Sequence, residues 1–164
     1  MKIGIVQNNS IVGDLEGNAG KIILAIEKSK KNKLDLVIFP ELALTGYPPK
    51  DLLFRKDFID SCKEAVEKIL NYTEGIGVLL GVPIPAKESP YLYNGAILIE
   101  DGKIIGHIYK NLLSNCELFN EMRYFKPAED VKCIKFRGFN LGISICEDMW
   151  NEQDVFGNSR YDKD

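Results

Sequence analysis

The sequence is short of the groups that metal-dependent and histidine-based chemistry draws on. Its 164 residues contain a single histidine, His107. The four cysteines, Cys62, Cys116, Cys133 and Cys146, include no C-x-x-C pair. A zinc site would have to be assembled from scattered residues, so no metal is expected. Thiols without a disulfide framework fit a reducing cytoplasm. No apolar run approaches the roughly 20 residues that cross a bilayer, so no membrane role is expected. The chain enters a strand-like run at residues 2–6 directly, without the pattern of a signal peptide. Basic charge is not in excess: the formal net charge is -3, so a nucleic-acid partner is not expected either.

What is present is ordinary for a globular chain. Hydrophobic residues make up 45% and charged residues 27%. The length allows one domain with a real core and is too short for two. Residues 2–7 read as a buried strand, and residues 18–32 as an amphipathic helix that Asn18 would cap. Residues 35–39 form the next strand, stopped by Pro40. A loop with adjacent Pro48 and Pro49 follows, expected to be held extended. Residues 56–71 read as a second amphipathic helix, with Cys62 on its apolar stripe. Residues 76–83 are another strand. The Asp101-Gly102 pair between apolar runs is a strong hairpin signal. Residues 111–130 read as a structured loop. Residues 132–136 and 139–145 read as a second hairpin around Arg137-Gly138. The order β-α-β-α-β-β-β-β-β predicts an α/β protein with a mixed sheet and helices on one face.

Three apolar strands end on a reactive group. Glu41 follows the strand at residues 36–39, Lys110 follows the strand at 104–109, and Cys146 follows the apolar run at 140–145. If these strands are neighbours, the three groups meet at one end of the sheet. A thiolate is a nucleophile, but a free thiol is mostly protonated at neutral pH. A carboxylate in reach can take its proton and return it to a leaving amine. An ammonium can stabilise a tetrahedral oxyanion, helped by the backbone N–H of Glu147. Each residue also has a plainer reading. A cysteine at a strand end is more often packing, a glutamate after proline is usually at the surface, and a lysine ending a hairpin strand is usually solvated.

The surrounding residues go further. Phe39-Pro40-Glu41-Leu42-Ala43-Leu44-Thr45-Gly46-Tyr47-Pro48-Pro49 resembles the glutamate motif of the nitrilase, or carbon–nitrogen hydrolase, superfamily. Its continuation through Asp51-Leu52-Leu53 resembles the glutaminase domain of glutamine-dependent NAD+ synthetases. Tyr109-Lys110-Asn111-Leu112-Leu113, with Phe119-Asn120-Glu121, resembles that branch's lysine motif. Gly142 to Trp150 resembles its cysteine motif. The resemblance implies Glu41 as general base and acid, Lys110 as oxyanion stabiliser and Cys146 as nucleophile. It matches Glu121 to a second glutamate beside the lysine, and Tyr47 and Phe119 to aromatic positions lining a glutamine pocket. It implies hydrolysis of a carboxamide, glutamine by preference, without a cofactor; ATP serves only a separate synthetase domain.

The resemblance is not complete. Ser114, Cys116 and Asn120 stand where related synthetases carry proline, tyrosine and aspartate. Loss of the proline is expected to loosen the loop that aims Lys110, and Cys116 is read as a bystander. These changes keep an amidase for another small amide as an alternative. The nitrilase fold is a four-layer α-β-β-α sandwich with the cysteine near its middle. Residues 1–164 therefore read as one incomplete domain, a partial sandwich with its second half and any synthetase domain missing. An uncovered apolar sheet face would exceed a tolerable surface patch. A homo-oligomer or a partner chain is expected to cover it, and an inactive chain acting only through such assembly is the remaining alternative.

Overall fold

The computed structural model describes residues 1–87, 91–115 and 118–151. Seven strands and two α-helices appear among them, in the order read from the sequence. They are β1 (Ile3–Ile5), α1 (Leu15–Lys31), β2 (Leu36–Ile38), α2 (Lys56–Leu70), β3 (Gly77–Pro85), β4 (Leu92–Glu100), β5 (Lys103–Tyr109), β6 (Cys133–Phe136) and β7 (Phe139–Gly142). Short 3-10 turns lie at Lys50–Phe54, Glu121–Arg123 and Cys146–Met149.

β1 to β5 form one mixed sheet in sequence order. β1, β2 and β3 are parallel, because a helix connects each to the next. β3, β4 and β5 are antiparallel, because short turns connect them. Alternation of side chains sorts the sheet into two faces. Val37, Phe39, Val78, Leu80, Val82, Ile97 and Ile99 pack with Ile22 and Ile26 of α1 and with Phe58, Ile59, Cys62 and Ile69 of α2. Leu36, Leu79, Ala96, Leu98 and Ile108 face the other way and pack with Phe136 and Ile145. The expected mixed sheet with helices on one face is the observed architecture.

The β6–β7 hairpin begins a second sheet on that other face. Two glycines of the first sheet receive it. A Cβ at Gly77 would collide with the Phe136 ring, and one at Gly106 with the Ile134 side chain. The hairpin covers the centre of the face and stops short of β1. For that reason β1 is not the buried strand that its composition suggests: Ile3 and Ile5 are 46% and 80% exposed. β7 likewise ends at Gly142 instead of running to Ile145, and Phe139 is half exposed.

Two local expectations fail for identifiable reasons. α1 starts at Leu15 because Asp14 caps it, accepting the Gly17 N–H at 2.9 Å. Asn18 is instead fully buried. Its amide donates to the Ile11 and Leu44 carbonyls at 2.8 and 2.9 Å, which ties two loops together. The proline pair does not hold its loop extended. Pro48 follows a cis peptide bond, Pro49 is in the helical region, and the chain turns at once into Lys50–Phe54. Among the described residues no helix is long and apolar enough to cross a membrane.

Candidate active site

β2 and β4 are not neighbours, since β3 lies between them. Glu41 nevertheless reaches β4 because the chain turns across β3 directly after Phe39. Phe39 N–H donates to the Leu79 carbonyl at 2.9 Å, and residues 40–42 then lie on Gly81, where a Cβ would strike the Pro40 oxygen and the Leu42 nitrogen. Lys110 leaves β5 with its backbone N–H bonded to the Asn94 carbonyl at 2.8 Å. Two strand ends and one strand interior thus deliver Glu41, Lys110 and Asn94 to a single point.

The polar groups there form a closed set. Lys110 Nζ lies 2.7 Å from Glu41 Oε1 and 2.7 Å from Glu121 Oε2. Asn94 Nδ2 lies 2.7 Å from Glu41 Oε1 and 2.9 Å from Glu121 Oε1. Tyr47 donates its hydroxyl to Glu121 Oε1 at 3.2 Å, and the Ser114 backbone N–H donates to Glu121 Oε2 at 2.8 Å. Side-chain exposure is 0% for Lys110, 2% for Glu121 and 15% for Glu41. Burial alone would lower the Lys110 pKa, but the Glu41 charge and the hydrogen bonds to Glu121 and Glu41 outweigh it and raise the value. The lysine is therefore a fixed ammonium. Two carboxylates around one ammonium leave a net negative charge in a nearly dry place.

Cys146 comes to this cluster from the second layer. It sits at φ +48°, in the left-handed region that a side chain rarely adopts. Asp148 holds the turn: its Oδ2 accepts the Ile145 N–H at 2.9 Å, while Oδ1 accepts the Asn111 and Leu112 N–H groups at 2.9 and 2.8 Å. One carboxylate thus joins the cysteine turn to the backbone just past Lys110. Cys146 is exposed, yet enough protein surrounds the sulfur for burial to lead in raising its pKa. The Glu41 charge and a hydrogen bond to Glu41 raise it further, and Lys110 only partly offsets them. The resting group is a thiol beside a carboxylate, which requires a base before it can attack.

Of the residues singled out from sequence, Glu41, Lys110, Cys146 and Glu121 share this cluster. Tyr47 and Phe119 stand beside it with ring centroids 5.6 Å apart. Burial and the charges of Glu121 and Glu41 push the Tyr47 phenol up, so it remains a neutral donor. Glu147 is half-buried on the cysteine turn. Ser114 is buried, and it gives Glu121 an N–H that a proline would lack. Cys116 lies outside the described residues. Asn94 and Asp148 were not anticipated. The available signals were an asparagine inside the apolar run of β4, which must find partners when buried, and a second carboxylate two residues past the cysteine. The described residues contain no grouping of three or more His, Cys, Asp or Glu side chains able to hold a metal ion.

A thiol, a carboxylate and an ammonium thus lie together at one end of the mixed sheet. Residues 2–160 match the carbon–nitrogen hydrolase family, and the chain belongs to it. It is 39% identical over 153 residues to the glutamine-dependent NAD(+) synthetase of Thermotoga maritima, covering 92% of this chain and 26% of that protein. It is 37% identical over 150 residues to the same-named protein of Aquifex aeolicus. The chain thus spans about a quarter of the length of these curated relatives. Among solved structures, the glutamine-dependent NAD+ synthetase of Acinetobacter baumannii superposes with a TM-score of 0.83 at 31% identity, over 90% of this chain and 28% of that one. An amidase from Nesterenkonia sp. shares the fold with a TM-score of 0.78 at 22% identity, over 92% of this chain and 57% of that one.

Proposed function

We propose that the chain hydrolyses a carboxamide, glutamine by preference, through a thioester on Cys146. The observation that carries this is that Glu41, bonded to the buried Lys110 ammonium at 2.7 Å, is also the carboxylate that acts on the exposed Cys146 thiol. Cys146 Sγ attacks the carboxamide carbon while its proton passes to Glu41. The carbonyl π pair moves to oxygen. Two of the three Lys110 donors already hold carboxylates, and the third is available to the oxyanion together with the Glu147 backbone N–H. Collapse expels ammonia, which takes the proton from Glu41 and leaves the thioester. Water then attacks with its proton going to Glu41, and collapse releases the acid and returns the proton to sulfur. These steps balance with the chain's own residues and no cofactor.

In this reading Glu121 fixes Lys110, and Tyr47 and Phe119 form the wall nearest the amide. Glutamine is favoured because relatives at 31–39% identity are named glutamine-dependent. Ammonia would then pass to a partner that synthesises NAD+, as those names suggest, and ATP would serve only that partner. The exposed Ile3, Ile5, Phe139 and Trp150 support an assembly in which a second copy or another polypeptide covers the second layer. The expected compartment is the cytoplasm.

Ammonia release from glutamine, with Cys146→Ala as control, tests the reading. Release that vanishes in the control supports it. Turnover of another small amide but not glutamine moves the assignment to a general amidase. A folded, assembled sample that turns over no amide leaves only the assembly role.

A further inference from the structure

We propose that Asn94 is a positioning residue that divides the two oxygens of Glu41 between anchoring and proton transfer; this rests on Glu41 and Cys146 acting as base and nucleophile. The two carboxylates of the cluster are occupied differently. Glu121 accepts from Asn94 and Tyr47 on Oε1 and from Lys110 and Ser114 on Oε2. Those four donors fill its four lone-pair sites. Glu41 takes both of its nitrogen donors, Lys110 and Asn94, on Oε1. Among the described residues no donor bonds to Oε2, which leaves it for the thiol. Lys110 alone would hold Glu41 by one contact, about which the carboxylate could turn. The second donor on the same oxygen fixes which oxygen faces the sulfur.

Asn94 is suited to this task. It is fully buried on β4, opposite Pro83 of β3. Its carbonyl holds the Lys110 N–H while its amide spans both carboxylates. The amide orientation follows from chemistry, since Oδ1 in the place of Nδ2 would stand within 2.9 Å of two carboxylate oxygens. Oδ1 consequently points where no donor reaches it among the described residues. A buried acceptor without a donor is a cost, and it is retained here at the one amide that serves both carboxylates. Being neutral, Asn94 supplies donors without bringing a second cation to the cluster.

The test is the pH dependence of Cys146 alkylation by iodoacetamide, followed by peptide mapping so that other thiols do not contribute. Asn94→Ser adds no charge and keeps at most one donor. Glu41 then turns from the sulfur, its upward push on the thiol is lost, and the midpoint for Cys146 should fall by about one pH unit, about tenfold faster alkylation near neutrality. Asn94→Ala removes both donors and should shift the profile in the same direction, which gives a second variant if the serine does not fold. In a Glu41→Gln background the Asn94 substitutions should shift nothing further. An unchanged midpoint in the folded variants, or a full shift persisting without Glu41, overturns the proposal. Glutamine turnover is measured separately. Shifted profiles without turnover by the parent chain retire the hydrolase reading and leave the pairing of Asn94 with Glu41. Turnover without shifted profiles retires this proposal alone.

Discussion

Replacing Asp148 by alanine should release the cysteine turn. Three backbone N–H groups lose their acceptor: Ile145 on one side, Asn111 and Leu112 on the other. A hydrogen bond to a charged group contributes about 1.5–3 kcal/mol when dry; Asp148 is only half-buried, so water replaces part of each, and about 1 kcal/mol apiece gives about 3 kcal/mol. Holding Cys146 at φ +48° costs on the order of 1–3 kcal/mol. The clamp therefore matches or exceeds the strain it opposes, and without it the turn relaxes and the sulfur leaves Glu41. Urea unfolding should show a lower midpoint at constant slope. Cys146 alkylation should approach that of an ordinary exposed cysteine. Asp148→Asn keeps one acceptor oxygen and should fall between. An alanine variant with unchanged midpoint and unchanged Cys146 reactivity would refute the reasoning.

Other substitutions probe separate parts of the structure. Ser114→Pro removes an N–H from Glu121 and should reduce stability by about 1.5–3 kcal/mol, read by urea unfolding. Phe136→Ala empties the space above Gly77 and should cost about 3–5 kcal/mol, with the β6–β7 hairpin losing protection in hydrogen exchange. Burial pushes the Cys62 thiol up to about 12, so it should resist iodoacetamide at pH 9 in the folded chain and react in urea. The unfolded thiol loses its proton near pH 8.5 while the folded one keeps it. The contribution of Cys62 is thus complete below about pH 8.5 and falls as pH rises towards 12. Cys62→Ala should flatten that decline and leave amide turnover nearly unchanged.

Periodicity carried most of the fold. Strands and helices were legible because their apolar positions repeat at two or at three to four residues, and Asp101-Gly102 marked its hairpin. The same patterning could not show which layer covers each face, so Ile3 and Ile5 read as buried when the hairpin stops short of them. Capping chemistry was ambiguous, because Asp14 and Asn18 both suit a helix start and only the packing of Asn18 against Leu44 separates them. In the site, Glu41, Lys110 and Cys146 announced themselves by ending apolar runs. Asn94 did not, because it sits inside a strand and acts through two carboxylates that are distant in sequence. The bond from Ser114 to Glu121 was not anticipated because proline was weighed for its stiffness, whereas this bond depends on an N–H.

The central claim is that Cys146 carries the acyl group. Rapid quenching of the chain with glutamine, followed by intact mass and peptide mapping, tests it most directly. A glutamyl adduct should map to Cys146, disappear in Cys146→Ala and decay with the release of glutamate. Ammonia released from glutamine with no adduct on Cys146, or at an undiminished rate in Cys146→Ala, would contradict the account.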